Sequence, residues 1–492
     1  MSAVPFSENQ IPRANRRLSY LNDVKYDSSA GNLIIGEDAG VGLPDTSTGV
    51  ILLGKEAGEA GADVKLESIA IGLEAASLGL GDSTIAIGRS SAHGVNAKDA
   101  DHAVIIGDRA CTGLSGTYND DCIVIGTNSG ISGTGASSIA IGDTASAKGD
   151  RNISVGKNAN LNSTSTQSIC IGENAGRSSV VGTLQGNDFI CIGNEVGQAP
   201  DMKSKSISIG NKESNFGFSS ATSDNGIGYG SIAIGPSCNG VANSTAKRGN
   251  LAVMIGAAAA YNGIGLHGVA IGTMAGHVNP PSDGSICIGY QAGLATSSSV
   301  KNKSISIGEQ ANAADSGLEA TALGYQSHSQ GDYSVALGVR AVSAGVSGIT
   351  VGAGARAEGV GSIGIGGRYN GGASYGTLGT KAVVIGDGTA LNANVEENAV
   401  VIGASAALSG AGEDNVIIGS FANSANATDQ AICINATGAN LAAVASGLVI
   451  KPIVVGSNSV AGTIKKPSDT NFDHYLAYNA TTGEIRAVLH GG

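Results

Sequence analysis

Ser138-Ile-Ala-Ile-Gly-Asp-Thr-Ala145 is one copy of a pattern that returns throughout this chain. The same opening stands at Ser68-Ile-Ala-Ile-Gly72 and Ser231-Ile-Ala-Ile-Gly235. Close variants are Ser168-Ile-Cys-Ile-Gly172, Ser206-Ile-Ser-Ile-Gly210 and Ser304-Ile-Ser-Ile-Gly308. Self-similarity at a short period is the signature of repeat architectures. Aliphatic-x-aliphatic-Gly occurs at 23 glycines between Gly36 and Gly419, and a degenerate copy, Ala431-Ile-Cys-Ile-Asn435, makes 24. Intervals run from 14 residues (Gly142 to Gly156, and each step from Gly324 to Gly366) to 25 (Gly210 to Gly235).

Three columns of the repeat have a physical reading. The residue before the glycine is Ile, Leu or Val in all 23 copies, and the residue three before it is aliphatic in 22, Thr321 being the exception. Strand alternation puts these two side chains on one face. Ile71, Ile141, Ile234 and Ile307 are therefore expected in the core, with Gly72, Gly142, Gly235 and Gly308 at tight corners that need unusual backbone angles or close approach. The residue between the two aliphatics is small in 15 copies, so the opposite face is expected to meet something close, in particular another chain. Alanine recurs three residues after the glycine, as in Ala75, Ala145 and Ala275.

One apolar strand per short period describes an all-β fold, a parallel β-roll or β-solenoid of about 24 short coils. The roll is expected over residues 31–440, with 1–30 an N-terminal attachment segment and 441–492 a C-terminal β cap. Long intervals map to loops. A sandwich or set of barrels would need regular hairpin turns between strands, which are missing here.

Composition agrees. Glycine contributes 77 of 492 residues, charged residues only 14 % and aromatics 4 %, which excludes a long coiled coil. Nine prolines exclude collagen, and a mean hydropathy of +0.11 argues against disorder. A net charge of −12 makes nucleic acid and anionic membrane poor partners. Seven cysteines without C-x-x-C spacing point to neither a disulfide framework nor a zinc site. The opening MSAVPFSENQIPRANRRLSYL lacks the apolar segment of a signal peptide, and no run of 18 apolar residues occurs to insert in a membrane. Synthesis in a reducing cytosol is expected.

No catalytic constellation is apparent, so no enzyme activity and no cofactor or metal are expected. Acids such as Asp108, Asp143, Glu173 and Glu309 are scattered singly, and the pairs Asp120-Asp121 and Glu396-Glu397 read as solvated. The seven histidines show no metalloprotease spacing. Cys170, Cys191, Cys287 and Cys433 share the small-residue column with alanine and read as buried hydrophobes. Receptor contact belongs to loops. The longest interval, 210–235, carries Asn215-Phe-Gly-Phe218 and Gly226-Ile-Gly-Tyr229, and Phe216, Phe218 and Tyr229 are the candidates for contacting a host glycan or protein.

The repeat resembles the head repeats of trimeric autotransporter adhesins over roughly residues 31–440. That resemblance implies a left-handed parallel β-roll and a parallel homotrimer. The stretch Leu448-Val-Ile-Lys-Pro-Ile-Val-Val455 and Leu476-Ala-Tyr-Asn-Ala-Thr-Thr-Gly-Glu-Ile485 resembles the tails of fibre-like virion proteins of tailed phages and large DNA viruses. Locally it reads as a hairpin, Leu476–Asn479 against Glu484–Val488. The combined expectation is a trimeric virion fibre that attaches to a host surface, assembled in the host cytoplasm with other virion proteins. Arg13, Arg16 and Arg17 would dock it and 441–492 would clamp the trimer. A cellular surface adhesin is the alternative, and a glycan-degrading tailspike a third.

Overall fold

The computed structural model describes most of residues 24–451 together with two later strands, 474–478 and 485–489; residues 1–23, 452–473 and several inter-strand segments, the longest 211–227 and 239–248, lie outside the description. Among the described residues every element is a strand. The chain divides into two units, residues 1–315 and 316–492.

In the first unit, the signature becomes a short strand at each copy, four residues at Asn32–Ile35 and three from Ile51–Leu53 to Ile305–Ile307. Successive strands pair in parallel with no register slip: Ile139, Ala140 and Ile141 sit on Ile153, Ser154 and Val155, and on Ile123, Val124 and Ile125. Each strand is a rung that can only pair with its neighbours above and below, through bonds such as Ile139 N–H to Asn152 O (2.8 Å) and Gly156 N–H to Ile141 O (2.7 Å). The fold is a parallel β-solenoid. Its second unit repeats the arrangement from Thr321–Leu323 to Ala431–Asn435. Where the interval is 14 residues, a second ladder forms from His328–Ser329, Val342–Ser343 and Arg356–Ala357.

The expected faces are reversed. The middle residue of nearly every rung points into the coil and is fully buried, as at Ala70, Ala140, Cys170 and Ala270. The flanking aliphatics, Ile71, Ile141, Ile234 and Ile307 among them, point outward and are only half-buried. The reason is volume. A coil takes one inward side chain per rung, and in the shortest coils that side chain is small. Ala140, Ala145 and Ser138 meet inside, all at 1 % exposure or less. From Gly324 to Gly366 the inward residues are Ala322, Ala336, Thr350 and Gly364; larger ones, Leu52, Ile105, Val401 and Ile417, occur in coils of 16 to 19 residues. Ala336→Leu is accordingly expected to destabilise the chain by about 1–3 kcal/mol through overpacking, measured by denaturant unfolding. An unchanged midpoint would show a wider interior.

Each corner is made by positive-φ residues, two after the glycine (Glu74 at 56°, Thr144 at 55°) and five before it (Glu67 at 54°, Ser137 at 55°). Gly142 has φ +136°, and a Cβ there would lie 2.5 Å from the Gly156 carbonyl oxygen of the next rung. Glycine is required by the stacking itself. Polar interior side chains close the corners that backbone pairing leaves open: Ser68 Oγ donates to Gly81 O (2.7 Å), and Asn152 donates to Ser165 O (2.6 Å) and accepts from Ser168 N–H (2.9 Å).

Both expected boundaries shift. Val24–Asp27, inside the segment read as an attachment arm, pairs antiparallel with Asn32–Ile35 and covers the first rung's edge. At the other end parallel pairing does not stop at 440: Gly447–Lys451 adds a further rung on Ala431–Asn435. The hairpin is present as His474–Tyr478 against Ile485–Leu489.

Candidate functional surfaces

Two features stand out, and the larger is the outward face of the rungs. In the first unit it carries two aliphatic columns, Leu33 to Ile305 and Ile35 to Ile307, over sixteen described rungs. At the strand spacing this stripe is on the order of 70 Å long. The second unit has its own stripe, in which Leu323, Leu337, Ile365, Ile402 and Ile432 are exposed and Leu448 is 44 % exposed. The edges of the first unit's stripe are polar. Residues just after the glycine carry Lys55, which bridges Glu37 (3.3 Å) and Glu56 (3.4 Å). Arg89 makes a bidentate pair with Asp108 at 2.8 and 2.7 Å. That hydrogen bond, and the guanidinium charge, hold the Asp108 carboxyl below its ordinary range.

Exposed aromatic side chains are the other candidate feature, in each unit separately. Tyr229 is 41 % exposed, its backbone fixed by N–H donation to Asn250 Oδ1 (2.9 Å), with Lys205 Nζ 5.8 Å from its ring centre. Phe216 and Phe218 lie outside the described residues, as do Arg13, Arg16 and Arg17. Sequence reasoning passed over four more tyrosines, Tyr26, Tyr290, Tyr325 and Tyr333, all exposed. Tyr290 and Tyr325 directly follow a signature glycine, an exposed position, and that was the available signal. The Arg340 guanidinium lies 6.0 Å from the Tyr325 ring centre, and Tyr261 stacks on His277 at 4.7 Å.

Asp120, read as solvated, belongs with several other aspartates to a structural ladder that the sequence did not reveal. Six residues before the glycine, an Asp or Asn accepts a hydrogen bond from the backbone N–H at the same position one rung away. Asp82 accepts from Leu66, Asp101 from Asp82 and Asp120 from Asp101, at 2.8, 2.8 and 3.0 Å. Asp150, Asp283 and Asp332 repeat the contact. Asp121 instead faces His102 at 3.8 Å. Among the described residues no three His, Cys, Asp or Glu side chains converge to hold a metal ion.

All seven cysteines are free thiols, and six are buried. Burial pushes the Cys287 thiol up to about 12 and the Cys122 thiol up to about 11. Above pH 9 the unfolded chain ionises these thiols while the folded one does not. Their protonated form therefore stabilises the fold progressively less from about pH 9 upward, until the folded thiols ionise too. Cys287→Ala is expected to lessen the fall in unfolding midpoint between pH 8 and 11 relative to the parent; an identical fall would place this thiol in contact with water.

Fold and surface together define a class, the parallel β-solenoid with small residues inside and an aliphatic stripe outside. Two segments, residues 134–159 and 316–341, match the YadA head domain repeat, the head repeat of trimeric autotransporter adhesins. No curated protein matches the chain.

Proposed function

We propose that this chain is the subunit of a non-enzymatic adhesive fibre, a parallel homotrimer assembled through the aliphatic faces. The stripe is the observation that carries the reading. Soluble monomers rarely expose contiguous apolar patches beyond about a few hundred Å², and two aliphatic side chains per rung over many rungs need cover. A second copy supplies it, because an unbroken column matches another column of the same rise. The resemblance to adhesin heads supports three copies. The small-residue column takes no part in assembly, since it is closed inside the coil.

Exposed tyrosines and the inter-rung loops, Tyr229 with Phe216 and Phe218 first among them, are the proposed contacts with a host glycan or protein. Arg13, Arg16 and Arg17 are the proposed docking residues toward other virion proteins. The proposed setting is a virion surface, with assembly in the host cytoplasm, and it rests on the tail sequence around 448–485. A cellular surface adhesin is the second reading, and the YadA head match favours it equally. Antibody labelling separates them: gold on purified particles, with adsorption lost when the gene is deleted, supports the virion fibre. Label confined to cell surfaces overturns it in favour of the cellular adhesin, and turnover of host polysaccharide by the purified chain would make it a tailspike.

A further inference from the structure

The buried hydrophobic side chains of the first unit fall into clusters with a break between them. One cluster of buried hydrophobic side chains runs from Ile34 to Ala147, and another from Ala159 to Ala292. At the gap stand Ser146, Ser154 and Asn160, all at 1 % exposure or less. Their hydroxyls and both polar atoms of the Asn160 amide have no hydrogen-bond partner in the protein. Thr164 Oγ1 shares that condition, whereas the Thr134 hydroxyl pairs with the Cys111 thiol.

These groups come from different walls of adjacent coils. Ser154 is the inward residue of the strand Ile153–Val155. Ser146 and Asn160 each stand four residues after a signature glycine, one coil apart, and Thr134 lies on the wall that bridges to Ala147. The walls converge: a Cβ on Gly130, also four residues after a signature glycine, would come 3.1 Å from Val124 Cγ1 and 2.9 Å from Thr134 Oγ1. A Cβ on Gly176, one coil beyond Asn160, would come 3.7 Å from Asn160 Oδ1. The equivalent pair in another coil is closed directly, Asn312 Nδ2 donating to Ser306 Oγ at 2.9 Å. Asn160 does not close on Ser154 in this way.

Buried polar groups in folded proteins are paired with protein or with ordered water, and internal waters sit where several such groups converge. Hydroxyls that donate or accept and an amide that does both, with no charged side chain among them, suit water. A halide would call for donors alone, and a cation for acceptors alone. We propose that the coils between Thr134 and Cys170 enclose an ordered water cluster held by Ser146, Ser154 and Asn160, with Thr164 at its margin. It stands between the two clusters of buried hydrophobic side chains, and it is independent of how copies of the chain assemble.

Oxygen-17 relaxation dispersion on the full-length protein tests it, because only waters held inside contribute a slow component. Ser146→Ala/Ser154→Ala/Asn160→Ala is expected to lose part of that component. Ser154→Ala alone, which puts in this column the residue already present at Ala140 and Ala233, keeps the fold and should lose a smaller part. A crystal structure should show water density within hydrogen-bond distance of all three side chains. No change in the slow component of either variant overturns the proposal. So does a dry interior with Asn160 donating to Ser154, and so does an anomalous bromide peak between these residues in crystals soaked in sodium bromide.

Discussion

Ile139→Asp/Ile141→Asp is expected to leave the chain folded but unable to associate, so that native mass spectrometry reads 48.3 kDa where the parent reads three times that mass. Both residues face outward from their rung and are half-buried. In the isolated chain the new carboxylates reach water, and the coil interior beneath them is untouched. In the assembly they would be placed opposite the same residues of two other copies. Burying an unpaired carboxylate costs several kcal/mol, and roughly six of them would crowd one layer of the interface. The contrast with Ala270→Asp is the internal control: that carboxylate enters the interior between the buried Met254 and Cys287, and the chain itself should fail to fold. Parent-like association of the Ile139→Asp/Ile141→Asp chain would show that the stripe is covered by something other than a second copy.

Gly142→Val should be the most damaging single substitution outside the interior. At φ +136° an L-residue is strained by about 1–3 kcal/mol. The added Cβ would also stand 2.5 Å from the Gly156 carbonyl oxygen, and that atom is backbone, so relief means parting two rungs. Parting them costs the hydrogen bonds that join the rungs on either side, among them Gly142 N–H to Ile125 O (2.8 Å) and Gly156 N–H to Ile141 O (2.7 Å). The thermal midpoint should drop by many degrees or the chain should be recovered insoluble. Asp143→Ala, one residue along on the exposed corner, should change little. A parent-like midpoint for Gly142→Val would mean that the rungs are spaced further apart than their hydrogen bonds imply.

The repeat itself was legible, and so was its consequence. Aliphatic-x-aliphatic-Gly at intervals too short for a hairpin pair or a βαβ unit leaves a solenoid as the way to satisfy every rung, and each signature copy is a strand. The glycine column was legible as well, although its need comes from the carbonyl of the next rung as much as from a turn. The tyrosines after the glycine were legible only through their place in the repeat, and the aspartates six before it were not, because a single residue in a connecting segment carries no sign of its neighbour one coil away. The edge strand Val24–Asp27 and the extra rung Gly447–Lys451 were missed for a related reason: neither carries the glycine, and both are recruited by pairing alone.

Which face is inside was decided by tertiary structure. The pattern by itself determined that two aliphatic columns share one face and that a small column shares the other. The general expectation that larger hydrophobes are interior then chose the wrong one. Only closure of the chain into a coil fixes which column is enclosed, and it encloses the column of Ala140, Ser154 and Cys170, which becomes Val384, Val401 and Ile417 where the coils are longer. The isoleucines are left on the surface of each coil, where burying them takes another molecule.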